Sequence, residues 1–129
     1  MTHRSRLAGF IIDCQTDDLD AAADFWAQAL GCTVTERDAG DAAARYQRLG
    51  DTPGDLHIEV QQVAHASRVH LDIEADDVHA EAARLEALGA KKIAFVRDRW
   101  WVMEAPTGQR FCVVPMAHPE RGFPPRAWE

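Results

Sequence analysis

Apolar and polar residues alternate along residues 7–14 and again along 69–75, and each stretch leads into a helical pattern with the same signature. The first helix is marked by Asp17-Asp18-Leu19 at its start and Leu30-Gly31 at its end, the second by Asp76-Asp77-Val78 and Leu88-Gly89. The starts lie 59 positions apart (17 to 76) and the ends 58 (30 to 88), so the chain is a doubled unit. In the first copy Thr16 or Asp17 is placed to cap a helix over about 18–30, through a side-chain oxygen that accepts from free backbone N–H groups. Leu19, Ala22, Ala23, Trp26, Ala29 and Leu30 form its apolar stripe, and Gly31 stops it. Strands follow at 33–37, 43–49 and 56–63, divided by turn signals at 39–41 and 50–54. The second copy repeats the order with a strand at 69–75, a helix over about 77–88 stopped by Gly89, and strands at 91–97, 100–105 and 110–114. Pro106-Thr107-Gly108 turns the chain between the last two. The pattern is βαβββ twice, an α+β fold with modules at about 7–63 and 68–115. Residues 116–129 form a Pro-rich irregular tail whose Phe123 and Trp128 lie against the surface or a partner.

Strand side chains alternate between faces, so the apolar set names the helix-packed side and the remainder names the other. Val69, Leu71 and Ile73 pack, leaving His70, Asp72 and Glu74 opposite. Leu56, Ile58 and Val60 pack, leaving His57, Glu59 and Gln61. Phe111 and Val113 pack, leaving Arg110, Cys112 and Val114. The first strand packs Phe10 and Ile12 and turns Ile11 and Asp13 to the second side. That side therefore collects Asp13, His57, Glu59, His70, Asp72, Arg110 and Cys112. Two imidazoles, three carboxylates and a thiol fit the wall of a polar cavity or a salt-bridged sheet face. Trp100 and Trp101 alternate, so one packs on the helices and the other lines the cavity. Met103 shares the face of Trp101, and both are candidate pocket residues.

At 129 residues the chain is long enough for one domain with a real core. A net charge of −7 with interspersed signs supplies no basic stripe to neutralise phosphates, which argues against a nucleic-acid partner. The N-terminus carries no signal-peptide pattern, and no apolar run approaches membrane-spanning length. Three cysteines, an odd number without a CxxC, point to a reduced, cytoplasmic protein.

The two βαβββ modules, the strand–Asp-Asp-Leu–helix–Leu-Gly signature and the closing Pro-x-Gly-Gln-Arg-Phe-x-Val resemble the vicinal oxygen chelate superfamily, which includes glyoxalases, bleomycin-resistance proteins and extradiol dioxygenases. Ile12-Asp13-Cys14, Phe25-Trp26, His70-Leu71-Asp72 and Phe111-Cys112-Val113-Val114 are most similar to its glyoxalase-like domain subgroup, over residues 7 to 115. The resemblance implies sheets curled around a central cavity with helices outside, a small-molecule ligand between the modules, and a homodimer. It also implies a divalent metal held by His or Glu from the first and last strands of each module. His70, seven residues before Asp77, matches the first-strand ligand; its counterpart before Asp18 is Ile11, which cannot ligate. Glu59 in Ile58-Glu59-Val60 matches the last-strand ligand, and by motif its counterpart is Cys112. Two readings follow. One is a pocket without the full metal site, including a metal-free binder that sequesters an antibiotic or metabolite. The other is a zinc-like lyase or isomerase using Glu59, His70 and Cys112, with one divalent metal. In an enzyme, His70 and Glu59 act as ligand or base and Asp13 and Asp72 as acid/base or orienting groups. Ile11, His57, Trp101, Met103, Arg110 and Cys112 line the pocket.

Overall fold

Each helix begins where an aspartate satisfies the free amides of its first turn. Asp18 accepts from the amide of Ala21 and Asp77 from that of Ala80, so the N-cap is the second Asp of each pair. Thr16, expected as a cap, instead accepts from the amide of Asp18 through Oγ1. In the computed structural model, which describes residues 2–39 and 45–129, the elements are β1 (His3–Gln15), α1 (Leu19–Leu30), β2 (Thr33–Ala39), β3 (Tyr46–Gly50), β4 (His57–Val63), β5 (Arg68–Ala75), α2 (Val78–Ala87), β6 (Lys91–Val96), β7 (Trp100–Glu104), β8 (Arg110–Pro115) and β9 (Arg126–Trp128). Positions 40–44, which hold most of the expected turn at 39–41 and the start of the strand expected over 43–49, lie outside the described residues. The rest is the expected βαβββ order twice, an α+β fold. Gly31 ends α1 with a φ of 70°, a left-handed conformation that glycine adopts without steric cost.

The chain divides into two compact units, Gly9–Val69 and Met1–Ala8 with His70–Glu129. In the first unit the strand order is β2-β3-β4-β1, with β1 and β4 parallel and Ile11 beside Glu59. Leu19, Ala23 and Ala27 of α1 bury against Ile12, Leu49, Ile58 and Val60. The stripe ends on Ala27; Ala29 and Leu30, expected in it, are exposed. Gln47, fully buried, donates to Asp20 at 2.5 Å and accepts from Arg37 at 3.0 Å, joining α1 to β2 and β3.

In the second unit β5, β8, β7 and β6 follow in order, with β5 and β8 parallel. Ala75, Ala82, Met103 and Val113 form its core, with Phe111, Leu85 and Trp101 packed on it. The tail, read as irregular, adds a strand: β9 pairs antiparallel with β1, Trp128 opposite His3. Trp128 donates its indole N–H to Ser5, and the Arg84 guanidinium lies 3.9 Å over its ring. Arg6 holds the chain leading to β9. Its guanidinium donates to the carbonyls of His118, Pro119, Arg121 and Phe123, and its Nε to Glu74 at 2.5 Å. These are main-chain groups that no regular ladder satisfies, so one half-buried cation replaces several backbone hydrogen bonds. Replacing Arg6 by Met is expected to cost about 2–3 kcal/mol, through the lost charged hydrogen bonds and the half-buried Glu74 carboxylate left without them. Limited proteolysis should then cut within 118–123 well before it cuts elsewhere; uniform resistance to cutting there would refute this role for Arg6.

Candidate functional site

The polar strand face of the second unit is where donor groups converge. His70 and Asp72, two apart on β5, share a face, and the β5–β8 ladder sets Cys112 beside Asp72. One Asp72 oxygen lies 3.6 Å from His70 Nε2. A ligand atom from each of His70, Asp72 and Cys112 lies within 4.8 Å of the other two. Among the described residues this is the set of three side chains grouped closely enough to hold a metal ion. Asp72 is 7% exposed, and His70 and Cys112 are half-buried.

Burial on β5 differs from the sequence expectation. Val69 and Leu71, read as the packed face, are 57% and 51% exposed, while the face with Asp72 is the better covered. Alternation defines two faces but carries no information about which one the rest of the chain covers. Trp101 and Met103, expected along the pocket, are also corrected. They pair across the ladder with Val113 and Phe111, and cross-strand partners share a face, so both lie in the helix-packed core. Trp101 donates its indole N–H to His79 on α2 at 3.2 Å. Trp100, Val102 and Glu104 are left on the face of Cys112 and Arg110. Glu104 lies opposite Arg110, 3.6 Å from its Nε. Neither Val102 nor Glu104 was singled out from the sequence. Their signal is the antiparallel register with Arg110 and Cys112, which only the turn at 106–108 hints at.

The first unit holds the other candidates. His57 hydrogen-bonds Glu59 through Nε2, one residue of separation placing both on one face of β4. Ile11 is buried beside Glu59 in the β1–β4 ladder. Asp13, almost wholly buried, has the Arg68 guanidinium at 3.9 Å. Burial, with the Asp13 charge adding to it, pushes the neighbouring Cys14 thiol up from its usual range, more than a hydrogen bond with Trp26 offsets. That makes Cys14 a packing residue rather than a nucleophile.

Matching the two ladders revises one equivalence. Asp18 and Asp77 cap the two helices, so Ile11 corresponds to His70 and Asp13 to Asp72. Ile11 pairs with Glu59 and Asp13 with Gln61, whereas Asp72 pairs with Cys112. The counterpart of Cys112 is therefore Gln61. The counterpart of Glu59, one step back from the Leu71–Phe111 pair, is Arg110. Of the four strand positions that the superfamily resemblance makes ligands, Ile11 and Arg110 cannot bind a cation. The full four-point metal set does not fit this chain.

These features define an α+β protein of paired βαβββ modules with a polar, titratable strand face. A glyoxalase-like domain model matches residues 9–114, and the chain belongs to that family, within the glyoxalase/bleomycin-resistance/dioxygenase superfamily. Three solved structures share the fold. A hypothetical protein, BH1468 from Bacillus halodurans C-125, is 11% identical with a TM-score of 0.65, over 87% of this chain and 94% of its own. Methylmalonyl-CoA epimerase from Mycobacterium tuberculosis is 15% identical with a TM-score of 0.60, over 86% and 89%. A glyoxalase/bleomycin resistance protein/dioxygenase superfamily member from Vibrio splendidus 12B01 is 13% identical with a TM-score of 0.54, over 87% and 99%. No curated protein matches the chain in sequence. Among the described residues no helix is long and apolar enough to cross a membrane.

Proposed function

We propose that this chain handles a small molecule, bound against the polar strand face that carries His70, Asp72 and Cys112, without the full metal set of its superfamily. The observation that carries this reading is the convergence of an imidazole, a carboxylate and a thiol on a half-buried face, with Arg110 and Glu104 at its border. Such a face offers donors and acceptors of both charges, which suits orientation of a polar ligand against a partly dry wall. The isoleucine at position 11 and the arginine at 110 favour this over a four-ligand metal enzyme. In the binding role, His70 and Asp72 orient the ligand. In a catalytic role, the same imidazole, set by Asp72, moves a proton at the ligand. We read the chain as a cytoplasmic homodimer, on its three cysteines that form no disulfide and on the exposed leucines Leu7 and Leu71.

The test is a thermal-shift panel with bleomycin, catechol and a small epoxide, chosen for the chemistries of the superfamily. At least one probe is expected to raise the melting temperature of the native chain, and His70→Ala should weaken that response about tenfold or more in apparent affinity, as loss of a charge-assisted contact does. A response identical in the native chain and in His70→Ala would remove this face from the reading.

A further inference from the structure

We infer that His70, Asp72 and Cys112 form a three-donor site for a single borderline-soft divalent cation of the zinc class, contained within one module and leaving a fourth coordination position for the small molecule. The inference rests on the reading of this face as the ligand-handling site and names what would share it.

The donor chemistry selects the cation. One nitrogen, one sulfur and one oxygen suit zinc or cobalt, whereas calcium and magnesium take oxygen ligands in larger number. Geometry agrees. Tetrahedral zinc at its usual bond lengths sets donor pairs roughly 3.4–3.7 Å apart. The His70–Asp72 pair is already at 3.6 Å, and every pair lies within 4.8 Å. Small rotamer changes of about 1 Å, without strand movement, would bring Cys112 to bonding distance. Charge agrees too, because a dication with one thiolate, one carboxylate and a neutral imidazole is locally neutral, which limits the cost of holding it on a half-buried face. Both β5 and β8 are ladder-paired strands, so the three Cα positions are held before any ion arrives. The set differs from the one implied by the superfamily resemblance. It takes two donors from one strand, it uses Asp72 and Cys112 rather than first- and last-strand ligands of both modules, and it needs neither Glu59 nor Ile11.

The experiment is titration of the purified full chain with Co²⁺, followed by absorption and native mass spectrometry, with Zn²⁺ as competitor. One ion per chain is expected, with a sulfur-to-cobalt charge-transfer band in the near ultraviolet that Zn²⁺ bleaches. Cys112→Ser should abolish that band, while Cys14→Ser and Cys32→Ser should keep it. Asp72→Asn and His70→Ala should each weaken the ion by about tenfold or more. Circular dichroism of each variant separates loss of the ion from loss of the fold. An ion that is lost with Glu59→Gln, or a charge-transfer band that survives Cys112→Ser, would overturn the inference. So would a folded native chain that takes up no ion; if bleomycin, catechol or the epoxide still bound that chain through His70, the small-molecule reading would stand alone. An ion bound as described, with no response to those probes, would support the site and overturn that reading instead.

Discussion

A methyl group added at Gly9 is expected to part β1 from β4 and to destabilise the chain by about 3–5 kcal/mol, a range reached only when packing cannot relax. A Cβ at this position would overlap the carbonyl oxygen of His57 and stand 2.7 Å from its carbonyl carbon and its amide nitrogen. All three are main-chain atoms, so no rotamer change can clear them. Gly9 pairs with His57 in the parallel ladder, and the same ladder sets Ile11 beside Glu59 and Phe10 beside Ile58. A displacement here would therefore reach the core and the His57–Glu59 pair together. Gly9→Ala should show a lower urea midpoint with an unchanged slope if the native state stays compact. A midpoint within experimental error of the parent would mean that the two strands have more room than the geometry allows. Gly108, whose added Cβ would meet nothing within 4 Å, is the contrasting case: its φ of 91° makes substitution costly through backbone strain instead.

Removal of the Glu81 carboxylate is expected to have the second large effect. Glu81 is fully buried on α2, where it accepts from Arg84 Nε at 2.8 Å and Nη2 at 2.9 Å and meets His3 Nε2 at 2.8 Å. Burial alone would push this carboxyl up. Hydrogen bonds from Arg84, His3 and Ser5 and the Arg84 charge more than reverse that and hold it at about 2. A carboxyl depressed on folding contributes stability that is complete above its unfolded value near 4.5 and is lost as pH falls through about 2. Glu81→Ala should cost about 3 kcal/mol at neutral pH, equivalent to a fall of roughly 10 °C in melting temperature. The gap between the parent and the variant should stay constant from neutrality down to about pH 4.5 and narrow below it. Melting curves at neutral pH, 4, 3 and 2 measure this directly, and a gap that stays constant down to pH 2 would show that the depressed carboxyl is not its source. The network also ties both chain ends, because Arg84 stacks on Trp128 and Trp128 donates to Ser5. Loss of Glu81 should therefore loosen β9 as well.

Much of the fold was legible because it is written locally. The Asp-Asp pairs read as helix starts, since a carboxylate two or three residues ahead of free amides caps them whatever else the chain does. Gly31 read as a stop, since a left-handed residue there carries little cost only for glycine. The 59-residue offset between Asp18 and Asp77 then made the doubled βαβββ order visible without any contact being known. The side-chain periods likewise named the sets that share a strand face, and His70 with Asp72 was one of those sets.

The rest depended on neighbours distant in sequence. Whether Val69 and Leu71 or His70 and Asp72 would be covered is set by what lies over the strand, and alternation is blind to that. Trp101 and Met103 went to the core rather than a pocket because the β7–β8 register pairs them with Val113 and Phe111; a shift of one residue would have reversed it. Cys112 lies beside Asp72, and Arg110 takes the position matched to Glu59, for the same kind of reason. The tail became a strand because its amides found partners on β1, more than a hundred residues away. Sequence alone determined the elements, their order and their doubling, since caps, stops and periodicity act over a few residues. Only the tertiary structure decided which three donors meet, because strand register and the covered face follow from long-range pairing.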